Sequence, residues 1–435
     1  MALYDWGTFG FHIPKIMVPK EGTDYSKWAV VACDQFTSQP DYWEKAEEIV
    51  GDAPSTLRLM LPEIFLDKPG EADKIKAIRA AMNQYMADGT LRTLPEGCML
   101  VKRTAEGRTR LGLVIATDLE SYDFNKGSTS LTRATEGTVV ERIPPRLRIR
   151  EGAPIEMPHI LILIDDPDHT VIEPLVNAPK TPIYDTDLML DGGHVSGDFI
   201  EAKDLEGARA ALSALFDKAV EKYGEGHVIF QAMGDGNHSL ATAKTNWENL
   251  KKTLSPEEQK NHPARYALCE IENIYDEGIV FEPIHRVLFA SKGQSGKDLI
   301  KETVELLAEQ NGGAHLAEAG AKAQEGCFAV PCMAGGEHCT IIIEKPKSKL
   351  AVGALQNALD VIVKERKDAE IDYIHGAATV EDLAAKDGNA GFLLPAMDKF
   401  MLFPAVAADG ALPRKTFSMG EANEKRYYIE SRYIG

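Results

Sequence analysis

The stretch His227-Val-Ile-Phe-Gln-Ala-Met-Gly-Asp-Gly-Asn-His-Ser-Leu-Ala-Thr-Ala-Lys244 decides how this chain is read. Val228 to Phe230 are apolar and partly β-branched, so residues 227–232 read as a buried strand. Gly234-Asp235-Gly236 then supplies a sharp turn, and Asn237 or Ser239 can cap a helix that starts near Leu240. In that geometry free backbone N–H groups and the positive end of the helix dipole converge at Asn237, His238 and Ser239, a place suited to phosphate or carboxylate. A protonated histidine is unfavourable there unless an anion sits beside it, and the two glycines permit close backbone approach. The same strand, turn and helix is also an ordinary connection in α/β proteins, so the motif needs further groups around it before it carries chemistry.

Working outward, the 435 residues are 44% hydrophobic and 26% charged, an ordinary globular composition with room for two or three domains. The net charge of −19 argues against general affinity for nucleic acid or an anionic membrane surface. No apolar run reaches membrane-spanning length and the N-terminus has no leader pattern, so the expected compartment is the cytoplasm. Six cysteines in so long a chain do not make a disulfide framework. Cys327, Cys332, His338 and Cys339 lie close in sequence, but their spacings differ from those of zinc knuckles. The simpler reading is two strands, 326–333 and 338–344, joined at Gly335-Gly336 and carrying packed thiols. No glycine-rich dinucleotide fingerprint is present, and no haem, flavin or NAD is expected.

Apolar spacing of three and four residues predicts helices over 41–50, 72–87, 205–223, 240–254, 297–310, 350–367 and 380–386. Strands are expected over 28–33, 98–103, 110–118, 160–165, 227–232, 266–274, 285–289 and 391–394. These alternate without a regular βαβ rhythm, which gives an α+β class with a mixed sheet rather than a doubly wound fold. The polar segment 291–296 reads as a linker, dividing the chain into 1–290, with the histidine turn, and 291–435, an α/β layer.

Asp235-Gly236-Asn237-His238, followed by a helix of small residues, resembles the Asp-Gly-His-His-Arg segment of the family known as domain of unknown function 1015. Further segments agree, among them Ile13-Pro14-Lys15, Val31-Ala32-Cys33-Asp34, Arg133-Ala134-Thr135-Glu136-Gly137-Thr138, Arg142-Ile143-Pro144-Pro145-Arg146, Pro283-Ile284-His285-Arg286, Asp372-Tyr373-Ile374-His375-Gly376 and Pro413-Arg414-Lys415-Thr416-Phe417-Ser418. The resemblance spans nearly the whole chain. The turn is in addition similar to the phosphate-gripping turn of the ParB and sulfiredoxin superfamily, which includes nucleotide-dependent free-serine kinases. The chain departs from the family pattern with Asn237 where histidine is common and Ser239 where arginine is common, which removes a two-pronged phosphate ligand. Lys244, five residues further on, is an imperfect substitute.

The candidate site follows. Gly234, Asp235, Gly236, Asn237 and Ser239 would hold a phosphate, with Arg133, Arg146, Arg414 and Lys415 as cationic partners. The basic run Arg142 to Arg150, broken by Pro144-Pro145, is expected to be an exposed extended segment. His238 would bind phosphate or act as an acid, while Asp34 or Glu136 would hold magnesium or take a proton. His285, Arg286 and His375 would line an additional pocket, although His285 and Arg286, adjacent in a strand, should point to opposite faces. Because His375 and residues 414–418 lie in the second part, the resemblance implies a cleft between the two parts.

The resulting expectation is an intracellular enzyme that binds a nucleotide or phosphorylated small molecule, with Mg2+ and ATP or ADP, and transfers or hydrolyses a phosphoryl group. By resemblance to the serine kinases, serine or a small hydroxy acid is the first acceptor to try. The alternative is a non-catalytic regulatory protein that responds to a nucleotide or metabolite. No nucleic acid and no membrane are expected as partners, and the oligomeric state is left open.

Overall fold

The computed structural model describes residues 3–157, 159–289, 294–366 and 369–435, the side chain of Asp409 excepted. The chain divides into two compact units, the first made of residues 1–280, 402–411 and 419–435, the second of residues 281–401 and 412–418. The division falls ahead of the strand Phe281–Phe289 rather than after it, because that strand pairs with Glu370–His375 and Asn389–Phe392. The expected linker at 291–296 lies partly outside the described residues, as does the end of the helix expected to reach 367.

The first unit is an α+β body around an eleven-stranded mixed sheet. Its centre is the hairpin of Leu91–Ala105 and Arg108–Asp118. Glu106 and Gly107 both take positive φ, 49° and 72°, which is the two-residue turn whose twist matches paired strands. The hairpin is apolar on both faces. Met99, Val101 and Val114 join one core with Ile75, Ile78 and Met82 of the helix Glu71–Ala87. Cys98, Leu100, Leu113 and Ile115 join another, with Leu212 of the helix Glu206–Tyr223 and Leu240 and Trp247 of the helix Asn237–Lys251. Beyond the hairpin the sheet continues through Tyr266–Asn273, Leu161–Ile164 and Gln231–Asp235. The first two of these are parallel and the last two antiparallel, which is what makes the sheet mixed.

Several sequence expectations shift here. The strand of the turn runs from Gln231 to Asp235 rather than from residue 227. Only Val30–Val31 of the expected strand 28–33 is paired, because Tyr25–Trp28 winds into a helical turn first. The basic run is not extended: Ile143–Arg150 is helical, with prolines in its first turn, where their missing N–H groups cost nothing. Among the described residues, no helix is long and apolar enough to cross a membrane.

In the second unit antiparallel strands stand in the order 314–318, 337–343, 328–334, 389–392, 281–289 and 370–375. The helices Gly296–Gln310 and Ala351–Glu365 pack with Leu288 and Phe392 on one face. The helix Ala377–Ala384 packs with Val287 and Met333 on the other. The cysteine cluster is a strand pair, as the thiol-packing reading expects: Cys332 and Cys339 are cross-strand partners with Sγ atoms 3.3 Å apart. Among the described residues no group of three or more His, Cys, Asp or Glu side chains converges to hold a metal ion.

Candidate functional site

The turn owes its shape to close approach. Between Met233 and Asp235 the register against Leu161–Ile164 shifts, and Gly234 is the residue that absorbs the irregularity. A Cβ on Gly234 would sit 2.4 Å from Met419 Sδ. Gly236 has φ of +78°, and a Cβ there would stand 3.0 Å from Ile160 Cα. Gly236 is therefore required by backbone packing and by its left-handed conformation, whereas a Cβ at 234 would press on the Met419 and Leu163 side chains. Gly236 occupies the N-cap position and the helix starts at Asn237, three residues earlier than the sequence implies, with no side chain capping it. Asn237, His238 and Ser239 thus supply first-turn amides, which have no acceptor within the helix. Asn237 Oδ1 is buried and has no hydrogen-bond partner among the described residues.

What stands opposite this helix start is a residue the sequence reading passed over. His159, only 4% exposed, precedes the strand Leu161–Ile164, and the tight Gly236–Ile160 approach brings it to the turn. Its Nε2 lies 3.4 Å from Ser239 Oγ and 3.4 Å from Asp34 Oδ2. Its Nδ1 shares a 2.8 Å hydrogen bond with the Tyr428 hydroxyl, which donates to Cys33 Sγ at 3.2 Å. Burial disfavours the imidazolium, but the Asp34 carboxylate, reinforced by Asp235 and Glu63, holds the His159 pKa above the ordinary histidine value. Burial likewise acts to raise Asp34, and its contact with His159 overrides that and holds the carboxyl well below the usual range. The histidine and the carboxylate stand in contact at a helix N-terminus, each favouring the charged form of the other. The Cys33 thiol is pushed up by burial and stays protonated, a packed thiol.

Two more groups complete the site. Lys425 Nζ lies 3.0 Å from Asp235 Oδ2, adding a cation that the sequence gave no reason to select. Beside His159 a cavity of about 140 Å³ opens, bounded by Ser239, Thr242, Cys33, Glu63, Arg146 and Tyr428 and by apolar side chains. Arg146 pairs with Glu63 at 2.5 Å, and Arg150, on the same helix, with Glu156 at 2.5 Å.

The other sequence candidates fall into three groups. Asp34, Arg146, Asp235 and Ser239 come together around His159, with Gly234, Gly236, Asn237 and His238 forming the turn itself. Arg133 is 6% exposed and donates to the carbonyls of Ser130 at 3.0 Å and His227 at 2.7 Å, so its guanidinium secures loop backbone. Glu136 follows Thr135, whose hydroxyl donates to the Met233 carbonyl at 2.8 Å, which sets that segment alongside the strand of the turn. Lys244 is turned to the Leu119 carbonyl and Glu248 and does not replace the missing arginine.

His285, Arg286, His375, Arg414 and Lys415 belong to the second unit. Arg286 is fully buried, donating to Gln356 Oε1 at 3.0 Å and to the Arg414 carbonyl at 3.1 Å. His285 Nδ1 accepts the Leu394 N–H at 3.1 Å, on the sheet face opposite Arg286. His375 is exposed at the end of its strand, and Arg414 pairs with Asp360 at 2.8 Å.

Fold and site together define an α+β protein with a glycine-built helix start facing a buried histidine–carboxylate pair. The chain belongs to the family described as "Protein of unknown function (DUF1015)", whose model matches residues 17–362. Among solved structures it is similar to a conserved hypothetical protein from Pyrococcus furiosus, at 14% identity and a TM-score of 0.38, covering 73% of this chain and 94% of that one. It is also similar to a free serine kinase in complex with AMP, at 14% identity and a TM-score of 0.40, covering 73% and 90%. A third similarity is to SbnI with C-terminal truncation from Staphylococcus aureus, at 9% identity and a TM-score of 0.35, covering 73% and 82%. No curated protein matches the chain.

Proposed function

We propose that the first unit binds a phosphoryl-bearing small molecule, such as a nucleotide, at the start of the helix Asn237–Lys251 and transfers the phosphoryl group to a hydroxyl. The observation that carries this reading is the 3.4 Å approach of Ser239 Oγ to His159 Nε2, with Asp34 Oδ2 3.4 Å from the same nitrogen. The helix start supplies positive potential where anionic oxygens would lie, bordered by His159 and Lys425 in their pairs with Asp34 and Asp235, and such preorganised charge stabilises a transferring phosphoryl group.

Within this reading Asp34 is the proton acceptor, because its carboxyl is held well below the usual range whereas the His159 pKa is raised. The acceptor hydroxyl oxygen bonds to phosphorus, the bridging P–O bond of the donor breaks with its electron pair leaving on the donor, and the hydroxyl proton passes to Asp34. A weak, fully ionised base suffices where the phosphorus–oxygen bond to the leaving group is largely broken before the proton moves. The Asp34 oxygens face Gln35 Nε2 at 2.8 Å and the His159 ring at 3.4 Å, and each keeps a lone pair that can take that proton.

The test is thermal stability against phosphate, AMP, ADP, ATP and phosphoserine, with and without Mg2+, using His159→Ala as control. A ligand at a hundred times its dissociation constant adds about 2.7 kcal/mol. Stabilisation of the native chain that the variant loses supports the reading, and a native chain indifferent to every phosphate-bearing compound overturns it. The second reading, a nucleotide-responsive protein without turnover, is favoured by Ser239 standing where an arginine is common in the family; stabilisation by a nucleotide without phosphoryl transfer to any hydroxylated compound would select it.

A further inference from the structure

The cavity beside His159 differs in character from the turn it adjoins. Its polar end is formed by His159, Ser239 and Thr242, whereas Met60, Met82, Ile149, Ala153, Ile155 and Met157 make much of the remaining wall. The two cations that border it are both committed: Arg146 to Glu63 and Arg150 to Glu156, a carboxylate that also holds Arg432 at 2.7 Å. An incoming carboxylate would have to compete with partners that are 13% and 2% exposed, and breaking such pairs leaves a buried charge uncompensated. The walls therefore favour an uncharged guest.

We propose that this cavity takes the hydroxyl-bearing acceptor, and that the acceptor is a compact neutral alcohol with a hydrocarbon body rather than an amino acid or hydroxy acid. This rests on the phosphoryl-transfer reading above. An apolar cavity of about 150 Å³ holds benzene, so the volume here, about 140 Å³, suits a guest of roughly six to eight non-hydrogen atoms. The hydroxyl sits against His159 and Ser239, and as its oxygen bonds to phosphorus its proton passes to Asp34, which stands behind the lining with Oδ2 3.4 Å from His159 Nε2. The hydrocarbon body fills the methionine and isoleucine end, where burial of apolar area supplies the affinity.

The experiment measures binding of cyclohexanol, benzyl alcohol, glycerol and L-serine to the full chain by ligand-observed NMR, each with and without AMP. Ala153→Leu and Ile149→Phe fill the cavity from a buried and a half-buried position, so loss of folding in one leaves the other as the test. The expected result is that cyclohexanol or benzyl alcohol binds about tenfold or more tightly than glycerol or L-serine, and that the filled variants lose this while keeping the AMP response. Preference for L-serine, or alcohol binding unaltered by filling, overturns the proposal while the phosphoryl-transfer reading survives in the AMP response. Alcohol binding by a native chain that ignores AMP and every other phosphate compound overturns the acceptor role together with that reading.

Discussion

His159 and His285 are both buried histidines beside a strand, 4% and 6% exposed, one in each unit, and they behave in opposite ways. His159 has a carboxylate within 3.4 Å and is held above its ordinary pKa. His285 accepts a backbone N–H, and burial, with the Arg286 and His375 charges next, lowers its pKa. The second is a core histidine satisfied by its own sheet. The first is a histidine at a helix start beside a cavity, with a carboxylate that favours its protonated form. Burial alone does not set the direction of a histidine's pKa; the sign of the charge next to it does.

The strongest way to break this contrast is to remove each ring. His159→Ala is expected to lower phosphoryl transfer roughly 10²- to 10³-fold while the chain stays folded, the usual loss for one preorganised charge-stabilising donor. His285→Ala is expected to leave turnover intact and to cost about 1–3 kcal/mol of stability, because the Leu394 N–H loses its acceptor. Steady-state kinetics and denaturant melts on both variants check this, and a reversed pattern would place the chemistry elsewhere.

Next in size is the turn. Gly236→Ala puts a Cβ 3.0 Å from Ile160 Cα at a φ of +78°, and should destabilise by about 1–2 kcal/mol from the left-handed conformation alone. The response to AMP should fall with it, since the helix start moves relative to His159. Equal AMP responses in native and variant chains would detach the turn from the binding site.

The two histidines should also give pH effects of opposite sign. The folded pKa of His159 is raised, so its stabilisation is present below the unfolded histidine value and is lost as pH rises through the folded one. The folded pKa of His285 is lowered, so its neutral form stabilises above the unfolded value and that contribution is lost as pH falls. The difference in melting temperature between the native chain and His159→Gln should grow from pH 8 to pH 6, while that for His285→Gln shrinks. Parallel trends would show that Asp34 does not hold the His159 proton. The smallest effect is expected at Arg414→Ala, whose half-exposed pair with Asp360 is worth at most about 1 kcal/mol of stability.

Much of the fold was legible. The helices beginning near 41, 72, 206 and 297 are found within a residue of where apolar spacing puts them, because each buries one stripe against a sheet. The run from Arg142 to Arg150 was misread because Pro144-Pro145 interrupts a helix when interior and starts one when in the first turn, and which applies depends on where the preceding chain bends. The site was half legible. Gly234 to Ser239 announce a close turn, but His159 has no local signal beyond standing ahead of an apolar strand, and Lys425 and Tyr428 are more than 180 residues from the turn.

By itself, then, the sequence determined the α+β class and the strand, glycine turn and helix at its centre, since these follow from local periodicity and backbone freedom. Tertiary structure decided which histidine has its pKa raised and which has it lowered. A pKa depends on what lies within a few ångströms, and Asp34, Asp235 and Glu63 reach His159 only when the sheet and the segments returning to the first unit are assembled.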